Sequence, residues 1–166
     1  MQDAVVRETV VQEPGRRTGR PEPVVPEPSA GGISARSGDR QPLKVALLGC
    51  GVVGSQVYRL LTEQSADLKA RAGAPLEIAG VAVADPGKAR DVPVAQQLLT
   101  TAGLELVTRP DVDIVIELIG GIEPARTLLL AALNAGKSVV TANKALVASD
   151  RAVLHKTASQ AGADLY

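Results

Sequence analysis

The sequence predicts an α/β fold, a doubly wound parallel sheet covered by helices on both faces, and three observations carry that prediction. Strand-sized apolar runs recur from residue 44 onward. Between them lie longer stretches whose apolar residues return at helical spacing. Glycines or turn residues close most of the runs. Strands that alternate with helices need crossover connections, and these make a sheet parallel and cover its faces.

Residues 1–42 stand apart as a Pro-rich tail. They hold Pro14, Pro21, Pro23, Pro26, Pro28 and Pro42, with Gly31-Gly32 and scattered Arg and Glu. Such a composition buries too little apolar surface to offset the entropy of ordering, so the tail is expected to be disordered. The folded domain is expected over residues 43–166.

Residues 44–49, Lys-Val-Ala-Leu-Leu-Gly, read as a buried strand ending in glycine. Val53, Val57, Leu60 and Leu61 then predict an amphipathic helix over residues 52–64. Residues 76–83 read as a second strand, stopped by Asp85-Pro86-Gly87. In the middle, residues 96–101 suggest a helix and residues 104–107 a short strand. Residues 113–120 form a clear buried strand. The next helix has Pro124 near its start and Gly136 past its end, the usual asymmetry. Residues 137–141 read as another strand. Ser149 is expected to cap a last helix that reaches Ala161 and stops at Gly162. Residues 163–166 look like a strand that has only begun, which predicts a piece of a longer protein.

Composition narrows the function. Apolar residues make up 45% of the chain, enough for a core of ordinary size. A formal net charge of zero, without a basic patch or interleaved aromatics, argues against nucleic acid as a partner. No apolar run approaches the roughly 20 residues that span a bilayer, so no membrane role is expected. The lone Cys50 cannot form an internal disulfide, which fits a cytoplasmic protein. No metal-ligand spacing is present, and no metal site is expected. His155 has no second His, Cys or Asp to complete a constellation and reads as a surface or packing residue.

The strongest local signal is Gly49-Cys50-Gly51-Val52-Val53-Gly54, between a predicted strand and a predicted helix. Gly49 permits the tight turn, Gly51 admits a pyrophosphate, and Gly54 lets helix and strand pack closely. The opening turn of the helix, with Val52 and Val53, then presents free N–H groups to the phosphates. This is the context in which the glycine pattern denotes a Rossmann dinucleotide site, with Cys50 as a small filler. Asp85 ends the second strand, where an acid commonly holds the adenosine ribose. It comes later than the usual spacing of about 20 residues and reads equally well as a turn residue. Lys88 and Arg90 offer positive charge to a 2′-phosphate. Ile119, Gly120 and Gly121 close the residue 113–120 strand, where backbone can approach a cofactor. Thr141, Asn143 and Lys144 close the next strand on the same rim. There Asn143 can bond a carboxamide, and Lys144 can supply or relay a proton.

Three blocks together resemble the homoserine dehydrogenases: LGCGVVG at 48–54, DIVIELIGGIEPA at 113–125 and GKSVVTANKAL at 136–146. The resemblance implies NAD(P)H-dependent interconversion of L-aspartate 4-semialdehyde and L-homoserine, on the way to threonine, methionine and isoleucine. It implies that the glycine turn holds the pyrophosphate and that the Gly-Gly and Thr-Ala-Asn-Lys segments line the nicotinamide side. It places Lys144 in the active site, consistent with general acid–base work. It also implies a homo-oligomer, with substrate groups in a region after Tyr166. One departure concerns the cofactor: the family often has Arg before the acid that ends the second strand, and here Ala84 stands there. NAD and NADP both remain open. Two other readings stay open on the residues alone: another two-domain NAD(P)-dependent dehydrogenase, and a non-catalytic dinucleotide-binding module.

Overall fold

The computed structural model describes residues 40–166, so the expected tail falls, but for its last three residues, outside the described part. Five strands form one parallel sheet. They are β1 (Leu43–Leu48), β2 (Leu76–Ala82), β3 (Leu99–Thr100), β4 (Ile114–Glu117) and β5 (Ser138–Thr141). Their spatial order is β3-β2-β1-β4-β5, so the chain winds outward from β1 in both directions. Such an arrangement opens a crevice beyond the carboxyl ends of the strands, beside β1, where the winding direction reverses.

The period of two along β1 divides the core. Ala46 and Leu48 face one cluster, with Leu106, Leu129, Leu133, Leu146 and Leu154 among its members. Val45 and Leu47 face the other, with Tyr58, Leu61, Val81 and Val92. Burial on both faces explains why the strand reads as a continuous apolar run. Each fully buried aliphatic contributes about 1.5–3 kcal/mol, so β1 anchors both layers at once.

Helix α1 (Val52–Glu63) covers the Val45/Leu47 face through Tyr58 and Leu61. Helices α3 (Gly103–Thr108), α4 (Ala125–Asn134) and α5 (Lys144–Ala161) cover the other face. Helix α2 (Ser65–Ala72) was not expected from the sequence. It buries none of its residues, so it has no apolar stripe to announce it. It ends at Gly73, in the left-handed conformation.

The middle of the chain departs from expectation. Only residues 96–98 turn helically, as a short 3-10 turn that leads directly into β3. Residues 104–107 are helical, within α3, instead of a strand. A four-residue apolar run fits either period, and the core decides: a helix turns both Leu106 and Val107 inward, while Leu104 stays exposed. At the start of β4, the Arg109 guanidinium grips Asp111 at 2.7 and 2.9 Å and donates to the Ala79 carbonyl at 3.0 Å. Ala79 is skipped where the β1–β2 register shifts, so Arg109 serves a carbonyl next to a bulge.

Two helix ends bear on the site. Gly136 and Gly162 both have positive φ and follow α4 and α5, as their positions in the sequence suggest. The start of α5 differs from expectation: Asn143 caps the helix, and Ser149 lies inside it. The Asn143 side chain accepts from the Leu146 N–H, while the Ser149 hydroxyl turns back to the Leu146 carbonyl and to Asp150. Beyond α5, Leu165 forms a parallel bridge with Val139, and Tyr166 exchanges hydrogen bonds with the β5 backbone. The residue 163–166 segment thus does pair alongside β5.

Candidate functional site

A groove of about 930 Å³ opens at the carboxyl edge of the sheet. Residues after β1 (Gly49, Gly51, Val52), after β2 (Asp85, Lys88) and after β4 (Ile119) line it. A second depression, on the outer side of α5 around Ser149 and His155, is shallow and lies away from the strand ends. Strand ends are where open α/β sheets bind ligands, so chemistry is expected in the first groove.

The glycine turn shows three different constraints. Gly49 sits at φ 96°, with the Leu118 carbonyl 3.0 Å from where a Cβ would stand. A Cβ on Gly54 would collide with the Gly49 carbonyl oxygen, so helix and turn touch backbone to backbone there. Gly51 differs from both: nothing lies within 4 Å of its Cβ direction. The protein itself therefore does not require a glycine at 51, and the open space belongs to the groove. Gly51 is also the N-cap of α1, and no side chain caps that helix. The first intrahelical bond runs from the Ser55 N–H to the Gly51 carbonyl at 2.8 Å. The N–H groups that precede it, on Val52, Val53 and Gly54, have no acceptor within the helix. An anion at that position would meet free donors and the positive end of the helix dipole.

At the end of β2, Asp85 and the following loop form a folded unit. One Asp85 carboxylate oxygen accepts from the Gly87 N–H at 2.8 Å, an Asx turn. Asp85 therefore does turn work while it also lines the groove. Arg90 does not extend toward solvent: its guanidinium donates to the Asp85, Pro86 and Lys88 carbonyls and clasps the loop.

The segments after β4 and β5 are joined by side chains. Gly120 and Gly121 both have positive φ. Thr141 donates to Glu117 at 2.6 Å, and the Asn143 side chain donates to the Gly121 carbonyl. Both functional atoms of the Asn143 amide therefore have protein partners, which makes the residue a strut between the two segments. Lys144 begins α5 and is exposed. Below this rim, the Arg126–Asp150 pair at 2.7 Å fastens α4 to α5. The Arg126 guanidinium, with help from the Ser149 hydroxyl, holds the Asp150 carboxyl below its usual range, and Asp150 in turn raises Arg126.

Of the residues expected at the site, Gly49, Gly51, Val52, Asp85 and Ile119 line one groove. Gly54 is buried behind the turn, and Val53 is exposed on α1. Gly120, Gly121, Thr141, Asn143 and Lys144 form the neighbouring rim. The sequence does not single out Glu117, although it is fully buried and bonded to Ile119 of the groove and to Gly120 and Thr141 of that rim. The available signal was an acid inside an otherwise apolar run, just before Gly-Gly.

Fold, glycine turn and groove together define a dinucleotide-binding α/β domain of the Rossmann class. Residues 49–166 match the family described as homoserine dehydrogenase, NAD binding domain, and the chain belongs to that family. It is 51% identical over 138 residues to the homoserine dehydrogenase of Corynebacterium glutamicum, covering 83% of this chain and 31% of that protein. It is 40% identical over 124 residues to that of Bacillus subtilis, covering 75% of this chain and 29% of that protein. Among solved structures, the homoserine dehydrogenase of Thiobacillus denitrificans superposes with a TM-score of 0.68 at 37% identity, over 76% of this chain and 30% of that one. The S. aureus homoserine dehydrogenase gives 0.69 at 35% identity, over 75% and 32%. The chain thus spans about three tenths of the length of the relatives it matches.

Proposed function

We propose that this chain is the cofactor-binding part of a homoserine dehydrogenase, which interconverts L-aspartate 4-semialdehyde and L-homoserine with NAD or NADP. The observation that carries the reading is the open space at Gly51, beside uncapped helix N–H groups, in a groove at the sheet's carboxyl edge. That cradle fits a pyrophosphate. In this reading residues 43–166 are the cofactor domain, and the groups that hold the substrate belong to the larger part of the family's length.

Each residue then has a task. Gly49, Gly51, Val52, Val53 and Gly54 form the pyrophosphate cradle. Asp85, steadied by its Asx turn, faces the adenosine ribose. Because Arg90 is engaged with the loop backbone, Lys88 is the better candidate to meet a 2′-phosphate. Ile119, Gly120, Gly121 and Thr141 shape the nicotinamide side, and Asn143 holds that side in place. When bound, the nicotinamide supplies or accepts the hydride. Lys144 holds a proton for the substrate oxygen, whose negative charge a nearby ammonium also stabilises.

The intact protein is proposed to act in the cytoplasm as a homo-oligomer. The residues of this chain hold a single cysteine, and no helix among the described residues is long and apolar enough to cross a membrane.

Absorbance of the reduced nicotinamide, with homoserine as substrate, tests the reading on the intact protein. Turnover is expected, and Lys144→Ala should lower kcat about 10²-fold or more. Dinucleotide binding without homoserine turnover by the intact protein would point instead to a non-catalytic binding module.

A further inference from the structure

Glu117 closes β4 with a side chain that is entirely buried. Val115, two residues earlier, is equally buried and belongs to the apolar core, so an aliphatic residue suits this stretch of strand. Burying a carboxylate is costly unless hydrogen bonds replace its water. Here they do. One oxygen accepts from the Ile119 N–H at 2.7 Å and from the Gly120 N–H at 3.0 Å, and the other accepts from the Thr141 hydroxyl at 2.6 Å.

These bonds belong to a closed ring. From Gly120 the backbone passes to Gly121, whose carbonyl accepts from the Asn143 side chain. The Asn143 N–H donates to the Thr141 hydroxyl oxygen at 3.1 Å, and that hydroxyl donates back to Glu117. The ring thus spans the ends of β4 and β5. It also fixes Asn143, the residue just before Lys144, whose side-chain oxygen caps α5 by accepting from the Leu146 N–H.

We infer that Glu117 is a positioning residue for the nicotinamide end of the groove, binding the β4 and β5 rim segments into one unit through this ring. The inference rests on the cofactor reading above. It does not make Glu117 a catalytic residue, because the side chain faces inward to protein donors. Its effect passes through Ile119, Gly120 and Thr141. Glycines with positive φ, such as Gly120 and Gly121, have wide backbone freedom, and the carboxylate holds them to one arrangement before any ligand arrives. Binding then avoids the cost of ordering that loop.

The test compares two ligands on the intact protein. One is the tighter-binding of NADH and NADPH. The other is its analogue without the nicotinamide ring, ADP-ribose or 2′-phospho-ADP-ribose. Glu117→Gln keeps the size but turns a donor toward Thr141, and Thr141→Val removes the hydroxyl. Both should weaken the reduced dinucleotide about fivefold or more, as expected for losing one to two buried hydrogen bonds, while the truncated analogue changes less than about twofold. Fluorescence of the bound nicotinamide should shift in the same variants. Thr141→Ser, which keeps the hydroxyl, should lie closer to wild type than Thr141→Val. Val107→Ala, in the core on α3, controls for lost stability: it should lower Tm and leave the ratio of the two affinities unchanged. If Glu117→Gln does not fold, Thr141→Val decides alone. Equal weakening of both ligands, or unchanged dinucleotide affinity in a folded variant, would overturn the inference. Failure of wild type to bind either ligand would overturn the cofactor reading, and this inference with it.

Discussion

At the head of α1 no side chain caps the helix, whereas at the head of α5 the Asn143 amide does. The two ends lie on the same edge of one sheet, yet they are completed differently. The glycine turn leaves its N–H groups uncapped and the space over Gly51 empty of protein atoms, open to an outside ligand in the proposed reading. The β4–β5 rim satisfies itself through Glu117, Thr141 and Asn143. An anion can replace a missing cap at little structural cost, because the phosphate brings its own charge and acceptors. In the proposed reading the second end receives the nicotinamide ring, which brings no anionic oxygens, so that surface benefits from being ordered beforehand.

Disturbing the first end from behind should have the largest effect. Gly54→Val puts a branched side chain against the Gly49 carbonyl, where backbone must move. The expected cost is about 1–3 kcal/mol in stability, as for overpacking, with dinucleotide binding lost beyond detection. Calorimetry and a cofactor titration on the same sample check this. A variant of normal Tm and normal affinity would show that the close approach is not needed.

A smaller effect should come from the self-completed end. Asn143→Ala removes the α5 cap and the tie to Gly121 together. Loss of a cap costs about 0.5–2 kcal/mol, which should appear as a lower Tm in thermal unfolding. Dinucleotide affinity should fall only modestly, since the pyrophosphate cradle is untouched. A collapse of affinity as severe as that of Gly54→Val would erase the distinction between the two ends.

The smallest effect concerns pH. Arg126 and Ser149 hold the Asp150 carboxyl below its usual range, so the folded state keeps it ionised further into acid than the unfolded chain does. Its stabilisation is therefore complete above the unfolded pKa and is lost as pH falls through the folded one. Wild type should exceed Asp150→Asn in Tm near neutrality, and the gap should close in acid. A gap that widens in acid would contradict the assignment. The Arg126 side chain stays partly open to solvent while Asp150 is more covered, so the difference should be modest and should shrink with salt.

The same division marks what the sequence disclosed. β1, its glycine turn and α1 are local: a period of two, three glycines and a period of 3.6 lie within about twenty consecutive residues. Sequence points to Ser149 as the cap of α5, because Asn143 sits at the end of an apolar strand and reads as rim chemistry. Its capping bond appears only once α5 is seen to begin at Lys144. Glu117 reads only as one residue of a buried strand, because its meaning depends on Thr141, which folding brings beside it from the next strand. Arg90 looked like a free cation, since nothing in its spacing shows that three carbonyls will surround it. What sequence conveys poorly here is polar work done across elements, while glycine geometry and apolar period are carried locally.

Gly51→Val tests the central claim most directly, because it separates fold from ligand. The protein places no atom within 4 Å of the Cβ direction at this position, and its φ of −82° suits any L-residue. The fold should therefore tolerate the change, with a Tm loss limited to the N-cap preference for glycine over valine, on the order of 1 kcal/mol. The same side chain would fill the pyrophosphate space, so affinity for both NADH and NADPH should fall about a hundredfold or more, an amount equal to roughly 2.7 kcal/mol. Parallel melting and titration of wild type and variant give the answer. A stable variant that no longer binds is the predicted result, and a stable variant with unchanged affinity for both dinucleotides would show that the glycine turn is not the binding site.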